Sequence, residues 1–222
     1  MKMEKTTDSP PSRTAWFRRR KFLLWLLVVL GLAATAVTWD QVKYQFIPKR
    51  FGVVVSDKIY RSGQIDKSLI EKVLREHQIR EVVDFTGVEP DNPNQAAEAK
   101  ICQKLGIATH RFPLKGNGTG DPEAYVQALK VMAEAASDGR PLLVHCAAGS
   151  QRTGAAVAYF RMLIENRPPS EAYREMEKYK WKPRHDQVLA QYINDHMQEV
   201  AEKLVADGTL DKMPSPLPVF GP

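Results

Sequence analysis

The sequence predicts an α/β domain, with a central, mostly parallel sheet flanked by helices, behind an N-terminal transmembrane helix. Three observations carry that prediction. Short apolar or β-branched runs such as IREVVDF (Ile79–Phe85) and PLLVH (Pro141–His145) alternate with stretches of helical periodicity. Only a few residues join one run to the next, the pattern of parallel strands covered by helices. Eighteen consecutive residues, Phe22–Trp39, carry no charge.

Residues 1–21 are a basic segment. Its seven cations, Lys2, Lys5, Arg13, Arg18, Arg19, Arg20 and Lys21, against Glu4 and Asp8 account for five of the chain's six net positive charges. The rest of the chain is close to neutral, so its charge does not support a nucleic-acid partner. As a helix, residues 22–39 would span roughly 27 Å, close to the hydrocarbon thickness of a bilayer. A helix apolar on every side suits lipid better than a half-exposed protein surface. The cations before it keep the N-terminus in the cytoplasm and send everything beyond residue 40 to the exported side, making a single-pass membrane protein whose partner here is the lipid bilayer. Two processed forms stay open: cleavage at Ala34-Thr35-Ala36, and twin-arginine export through Arg19-Arg20-Lys21-Phe22-Leu23.

Residues 40–52 read as a linker, with Lys43, Lys49 and Arg50 near the surface, and residues 53–206 as the domain. Its 222-residue parent chain is 43% hydrophobic and 26% charged, which excludes a mostly disordered or collagen-like protein. Val53–Tyr60 is a strand. Lys67–His77 places Leu69, Ile70, Val73 and Leu74 on one helical face. Ile79–Phe85 is the next strand, and Asn94–Leu105 a helix with Ala96, Ala97, Ile101 and Leu105 inward. Ile107–Leu114 is a strand and Lys115–Gly120 a loop. Asp121-Pro122 opens a helix as N-cap and first-turn proline, and that helix buries Tyr125, Val126, Leu129 and Met132 before ending near Gly139. Pro141–His145 is a short buried strand, followed by an Ala/Val-rich helix to about Asn166. Ser170–Lys180 and Gln187–Val205 are two more helices. Residues 207–222, rich in proline, form a disordered tail.

The chemistry concentrates in Cys146-Ala147-Ala148-Gly149-Ser150-Gln151-Arg152-Thr153-Gly154, between a buried strand and a helix. Backbone N–H groups of a loop so placed can converge on one centre, an anion nest, and the helix N-terminus adds its own donors. Small residues at Ala147, Ala148 and Gly149 let the loop close tightly, and Arg152 can fork two donors onto a tetrahedral oxyanion. The same surroundings depress a thiol pKa, so Cys146 reads as a nucleophilic thiolate at the floor of a phosphate cradle. Phosphoryl transfer needs chiefly positioning and charge stabilisation, and this loop requires no metal or other cofactor. It lacks the GxxxxGK[ST] order of a nucleotide-binding loop.

His145-Cys146 through Arg152-Thr153-Gly154 resembles the HCxxGxxR[ST]G signature of cysteine-dependent protein tyrosine and dual-specificity phosphatases. Upstream, Tyr60-Arg61-Ser62-Gly63-Gln64 is similar to the YRSGQ segment of compact bacterial and atypical dual-specificity members. The resemblance implies a phosphatase-type fold over about Val53 to Val205. It further implies Cys146 as nucleophile and Arg152 as phosphate and transition-state ligand. Residues Ala147, Ala148, Gly149, Ser150 and Gln151 would bind the substrate phosphate, Thr153 would bond the sulfur, and His145 would orient the loop from behind.

The family's general acid is an aspartate upstream of the cysteine. Asp121, 25 residues before Cys146, is the only aspartate of its loop. It is equally a helix N-cap. Glu123 and Asp84 are weaker candidates, and without an acid the enzyme would favour good leaving groups such as aryl phosphates or phosphoanhydrides. Cys102 reads as core, or as a thiol that traps oxidised Cys146. Residues 178–182 (KYKWK) read as a solvated helix end, or as a border of the substrate surface. The expected function is therefore hydrolysis of phosphate monoesters, on a phosphoprotein or a small phosphate ester, through a cysteinyl-phosphate. The alternative is a phosphate-binding module with little turnover. A thiol oxidoreductase is disfavoured by the lack of a CxxC.

Overall fold

The computed structural model describes residues 42–222 continuously, with scattered positions between 21 and 39. Residues 1–20 and much of the apolar run expected to span a membrane lie outside the described residues. Among the described residues, no helix is long and apolar enough to cross a membrane. Tyr44–Pro222 form one unit.

The strand expected over Val53–Tyr60 is in fact a hairpin. β1 (Gly52–Val55) and β2 (Ile59–Gly63) pair antiparallel, and the polar Ser56-Asp57-Lys58 turn reverses the chain with Asp57 at φ 60°. Aspartate is among the few residues that visit that region readily. The remaining strands, β3 (Glu81–Asp84), β4 (Ala108–Arg111) and β5 (Leu142–Cys146), complete a five-stranded sheet of order β1-β2-β5-β3-β4. All pairings beyond the hairpin are parallel. The register sets Cys146 beside Gly63 and His145 beside Asp84, so the carboxyl ends of three strands meet where the signature loop begins.

Helices cover both faces: α1 (Ile70–Glu76), α2 (Pro93–Leu105), α3 (Pro122–Asp138), α4 (Gln151–Tyr159), α5 (Pro169–Lys178), α6 (Gln187–Asp195) and α7 (Met197–Ala206). A π-helical turn, Phe160–Ile164, extends α4. The helix expected over Gln187–Val205 breaks at His196, whose ring Nδ1 lies 2.9 Å from the Tyr192 carbonyl.

Alternation along β5 sorts the core. Leu142, Val144 and Cys146 join the larger apolar cluster, with Tyr125, Leu129, Tyr159 and Ile193. Leu143 joins the smaller cluster, with Ile70, Leu74, Val82 and Cys102. Successive strand side chains face opposite ways, so Cys146 and His145 lie on opposite faces of the sheet. On α2 the buried positions are Gln95, Glu98 and Cys102 rather than the expected Ala96, Ala97, Ile101 and Leu105, of which Ala96 is exposed and the rest half-buried. Ala97, Ile101 and Leu105 do pack against the smaller cluster, but Gln95, Glu98 and Cys102 go deeper, Glu98 because His145 on the facing side of the sheet pairs with it.

The segment expected as a disordered tail has a docked end. Phe220, 3% exposed, packs on Tyr173 and Trp181. Its backbone exchanges two hydrogen bonds with the Asn194 side chain, at 2.7 and 3.0 Å.

Candidate active site

β5 delivers Cys146 at the carboxyl end of the sheet's central strand with the side chain buried, and α4 starts five residues on. Between them the backbone turns through Gly149 at φ 73°. A Cβ there would stand 2.4 Å from Gly63 N and 2.6 Å from Ser62 C, so only glycine fits against the end of β2. The Gly149 amide donates to Cys146 Sγ at 3.1 Å.

Three consecutive loop carbonyls point away from the sulfur, each toward a cation. The Ala147 carbonyl accepts from Lys49 Nζ at 3.2 Å and from the Gln64 amide at 3.3 Å. The Ala148 carbonyl accepts from Arg50 Nη1, and the Gly149 carbonyl from Arg61 Nη2 at 3.0 Å. Arg61 is wholly buried in β2, stacked 3.8 Å over the Tyr179 ring and 3.8 Å from Glu175. Burial lowers its pKa to about 10, countered by Glu175, Tyr179 and Cys146. In a trans peptide the C=O and N–H point in opposite directions, so outward carbonyls turn the following amides inward.

Arg152 is anchored from its far side, Nη1 donating to the Phe85 carbonyl at 3.1 Å and the Leu114 carbonyl at 3.5 Å. Its Nε, Ser150 Oγ and Thr153 Oγ1 are buried without a protein partner at full hydrogen-bonding geometry, a donor set that an oxyanion can satisfy. Burial alone would push the Cys146 thiol up. The nearby Thr153 hydroxyl and amide, Arg152 and the Gly149 amide outweigh it and hold the pKa below the ordinary value.

Behind the loop, His145 Nε2 lies 3.2 Å from Glu98 Oε1, and its Nδ1 3.8 Å from Asp84 Oδ1. Burial pushes this imidazole down, but Glu98 foremost, then Asp84 and Cys146, raise it to about 9. Glu98 is held below the usual carboxylate range against its own burial, chiefly by His145. Asp84, Glu98 and His145 are close enough together to ligate a cation. Arg111, 3.1 Å from Asp84, and a protonated His145 already supply the positive charge, so the group fits an ion-pair network better than a metal centre.

The other sequence candidates are placed as follows. Asp121 is exposed and caps α3, its carboxylate accepting from the Glu123 amide at 2.9 Å. Glu123 accepts from Gln127 and Lys203, which hold its pKa low. Gln151 Nε2 lies 3.5 Å from Asp186 Oδ2, at the rim. Cys102 sits in the smaller cluster across the sheet from Cys146, its thiol pushed up to about 12, mainly by burial. That position rules out the trapping role, since a disulfide needs Cα atoms within about 7 Å and side chains facing one another. Tyr179, read as a solvated helix end, supports Arg61 instead. Sequence reasoning missed Lys49, Arg50, Arg61 and Glu98. For Arg61 and Glu98 the available signal was a charged residue within a strand or among the inward positions of a helix; Lys49 and Arg50 carried none.

A pKa-lowered cysteine at a strand end, inward amides and an arginine at the head of a helix define the cysteine-dependent phosphatases. Residues 38–194 match the family described as "DSP-PTPase phosphatase fused to NAD+ Kinase", and the chain belongs to that family. No curated protein matches it. Among solved structures it is similar to the core catalytic domain of the PP-IP phosphatase SIW14 from S. cerevisiae, at 20% identity and TM-score 0.57, covering 77% of this chain and 97% of that one. P. aeruginosa TpbA is similar at 19% identity and TM-score 0.53, over 68% of this chain and 88% of the other. PTPMT1 in complex with PI(5)P is similar at 15% identity and TM-score 0.53, over 70% and 99%. These likenesses show the fold: a five-stranded α/β phosphatase domain.

Proposed function

We propose that the protein hydrolyses phosphate monoesters, of tyrosine or dual-specificity type, through a cysteinyl-phosphate on Cys146. The Cys146 thiolate attacks phosphorus in line. An S–P bond forms, the P–O bond to the leaving group breaks, and the departing oxygen takes a proton from solvent water. Water then attacks the phosphorus, the S–P bond breaks, and inorganic phosphate leaves with the thiolate restored. Inward amides and Arg152 hold the equatorial oxygens throughout. The observation that carries this reading is the Gly149 amide 3.1 Å from Sγ, within a loop whose Ala147, Ala148 and Gly149 carbonyls face away.

The carboxylates of the preceding loop are otherwise engaged, Asp121 in its cap and Glu123 with Lys203. That favours substrates whose oxygen departs readily, aryl phosphates such as phosphotyrosine ahead of alkyl esters. Ala147, Ala148, Ser150 and Gln151 put no charge into the loop, which suits one phosphate rather than several. The similar proteins point in several directions by name: a PP-IP phosphatase, and a PTPMT1 complex with PI(5)P. TpbA has been captured with pTyr. Turnover of a phosphotyrosine peptide, a phosphoserine peptide and inositol phosphates, with vanadate and Cys146→Ser as controls, decides among them. Tight phosphate binding without Cys146-dependent turnover of any of these would establish the binding module instead.

We also propose that residues 22–39 anchor the domain on the exported side of a membrane. Support comes from the sequence: eighteen uncharged residues behind a cationic cluster. A reporter fused to the C-terminus that is active only in the cytoplasm would overturn this topology.

A further inference from the structure

The stretch before β1, which sequence reasoning assigned to a linker, reaches into the signature loop. Lys49 Nζ and Arg50 Nη1 donate to the Ala147 and Ala148 carbonyls, and the Lys49 carbonyl in turn accepts from the Gly63 amide at 2.7 Å. Arg50 holds φ 49°, a left-handed conformation that a long side chain seldom adopts, and its Nε is buried without a protein partner. Strain of this kind persists where surrounding contacts over-determine it. Lys49 Cδ lies so near Gly63 that a Cβ on that glycine would stand 2.9 Å from it, so the ammonium stem is laid along the end of β2.

We propose that Lys49 and Arg50 are positioning residues for the phosphatase loop. Their two cations hold the Ala147 and Ala148 carbonyls outward, and so aim the Ala148 and Gly149 amides at the sulfur and at a bound phosphoryl group. Arg61 does the same for Ser150 through the Gly149 carbonyl. A cation on the carbonyl end also polarises each peptide unit and strengthens its N–H as a donor. Lys49 and the Cys146 thiolate attract one another, which partly offsets the lowering of the Lys49 pKa by burial and by Arg50. Neither side chain needs to touch substrate for this role.

The inference rests on the phosphatase reading, and its test separates the two. Lys49→Met, Arg50→Met, the double variant and Lys49→Arg are made in the full chain. Four quantities are followed: thermal unfolding, the pH dependence of Cys146 alkylation by iodoacetamide, affinity for inorganic phosphate, and kcat and KM on an aryl phosphate. Either single variant should move the alkylation profile to higher pH, weaken phosphate several-fold and lower kcat/KM about tenfold, the effect of one charge-assisted hydrogen bond. The double variant should do more, and Lys49→Arg should restore the profile. Single variants that keep their unfolding temperature, alkylation profile and phosphate affinity overturn the inference. So does a loss of turnover that merely tracks a loss of folded protein. If the parent protein shows no turnover, the phosphatase reading falls, while alkylation and phosphate affinity still decide the role of the pair.

Discussion

Glu98 Oε1 stands 3.2 Å from His145 Nε2, across the sheet face opposite Cys146, with both side chains buried. The pair joins α2 to the residue preceding the nucleophile. Because the folded pKa of His145, about 9, lies above its ordinary 6.5, the stabilisation it reports is complete below pH 6.5. It drains away as pH rises through 9. The gap corresponds to on the order of 3 kcal/mol. Glu98→Gln removes the largest of these attractions and leaves those of Asp84 and Cys146, so it should destabilise the domain by up to about 3 kcal/mol near pH 6. Urea unfolding of parent and variant should converge toward pH 10, and a gap independent of pH would refute the charge-pair account.

Gly149→Ala should abolish activity. A Cβ at that position meets backbone atoms of Ser62 and Gly63, which cannot swing away as a side-chain tip can. The left-handed φ adds about 1–2 kcal/mol of strain. Displacing the loop by even 1 Å costs roughly 100-fold in rate. Expected, then, are kcat/KM reduced at least that far and phosphate affinity lost, with the far-ultraviolet spectrum of a folded protein. Turnover within a few-fold of the parent would contradict the tight approach of loop and β2.

The parts of this molecule legible in its sequence are those with a local signature. Strand β5 is a short apolar run, α3 carries its own N-cap and glycine C-cap, and Cys146 to Thr153 form a motif whose spacing is itself the geometry. What escaped depends on contacts between residues far apart in the chain. Lys49 and Arg50 lie 98 residues from the carbonyls they hold, and nothing in PKRFG distinguishes an anchoring cation from a solvated one. Glu98 lies among inward positions that periodicity gives to Ala97, Ile101 and Leu105, since its reason for burial is a histidine 47 residues on. The β1–β2 turn was absorbed into one strand because Asp57 carries no glycine neighbour to mark the reversal.

The sulfur's acidity should respond to Thr153. Its hydroxyl and amide are first among the influences that hold the Cys146 pKa below the ordinary value against burial. Alkylation of the parent should thus be fast at pH values where a free thiol is still protonated. Thr153→Val should shift the profile upward and Thr153→Ser should restore it. Cys102, pushed up to about 12, should stay unmodified, leaving one labelled peptide by mass spectrometry. Peroxide treatment should oxidise Cys146 without linking it to Cys102, because the two thiols occupy opposite sides of the sheet. An intramolecular disulfide would refute that separation.

Asp121 carries two assignments that one pair of substitutions tells apart. As the N-cap of α3 it accepts from the Glu123 amide, a role asparagine fills about as well and alanine does not. As a proton donor to the leaving oxygen it would be irreplaceable by asparagine, at a cost of roughly 100- to 10,000-fold on poor leaving groups. The exposed carboxylate, already committed to the helix, predicts the first pattern. Asp121→Asn should keep kcat on an alkyl phosphate within about twofold, and Asp121→Ala should lose about 1 kcal/mol of stability with the same kcat. If Asp121→Asn instead slows alkyl phosphates far more than p-nitrophenyl phosphate, the carboxylate is the acid and the helix merely borrows it between turnovers.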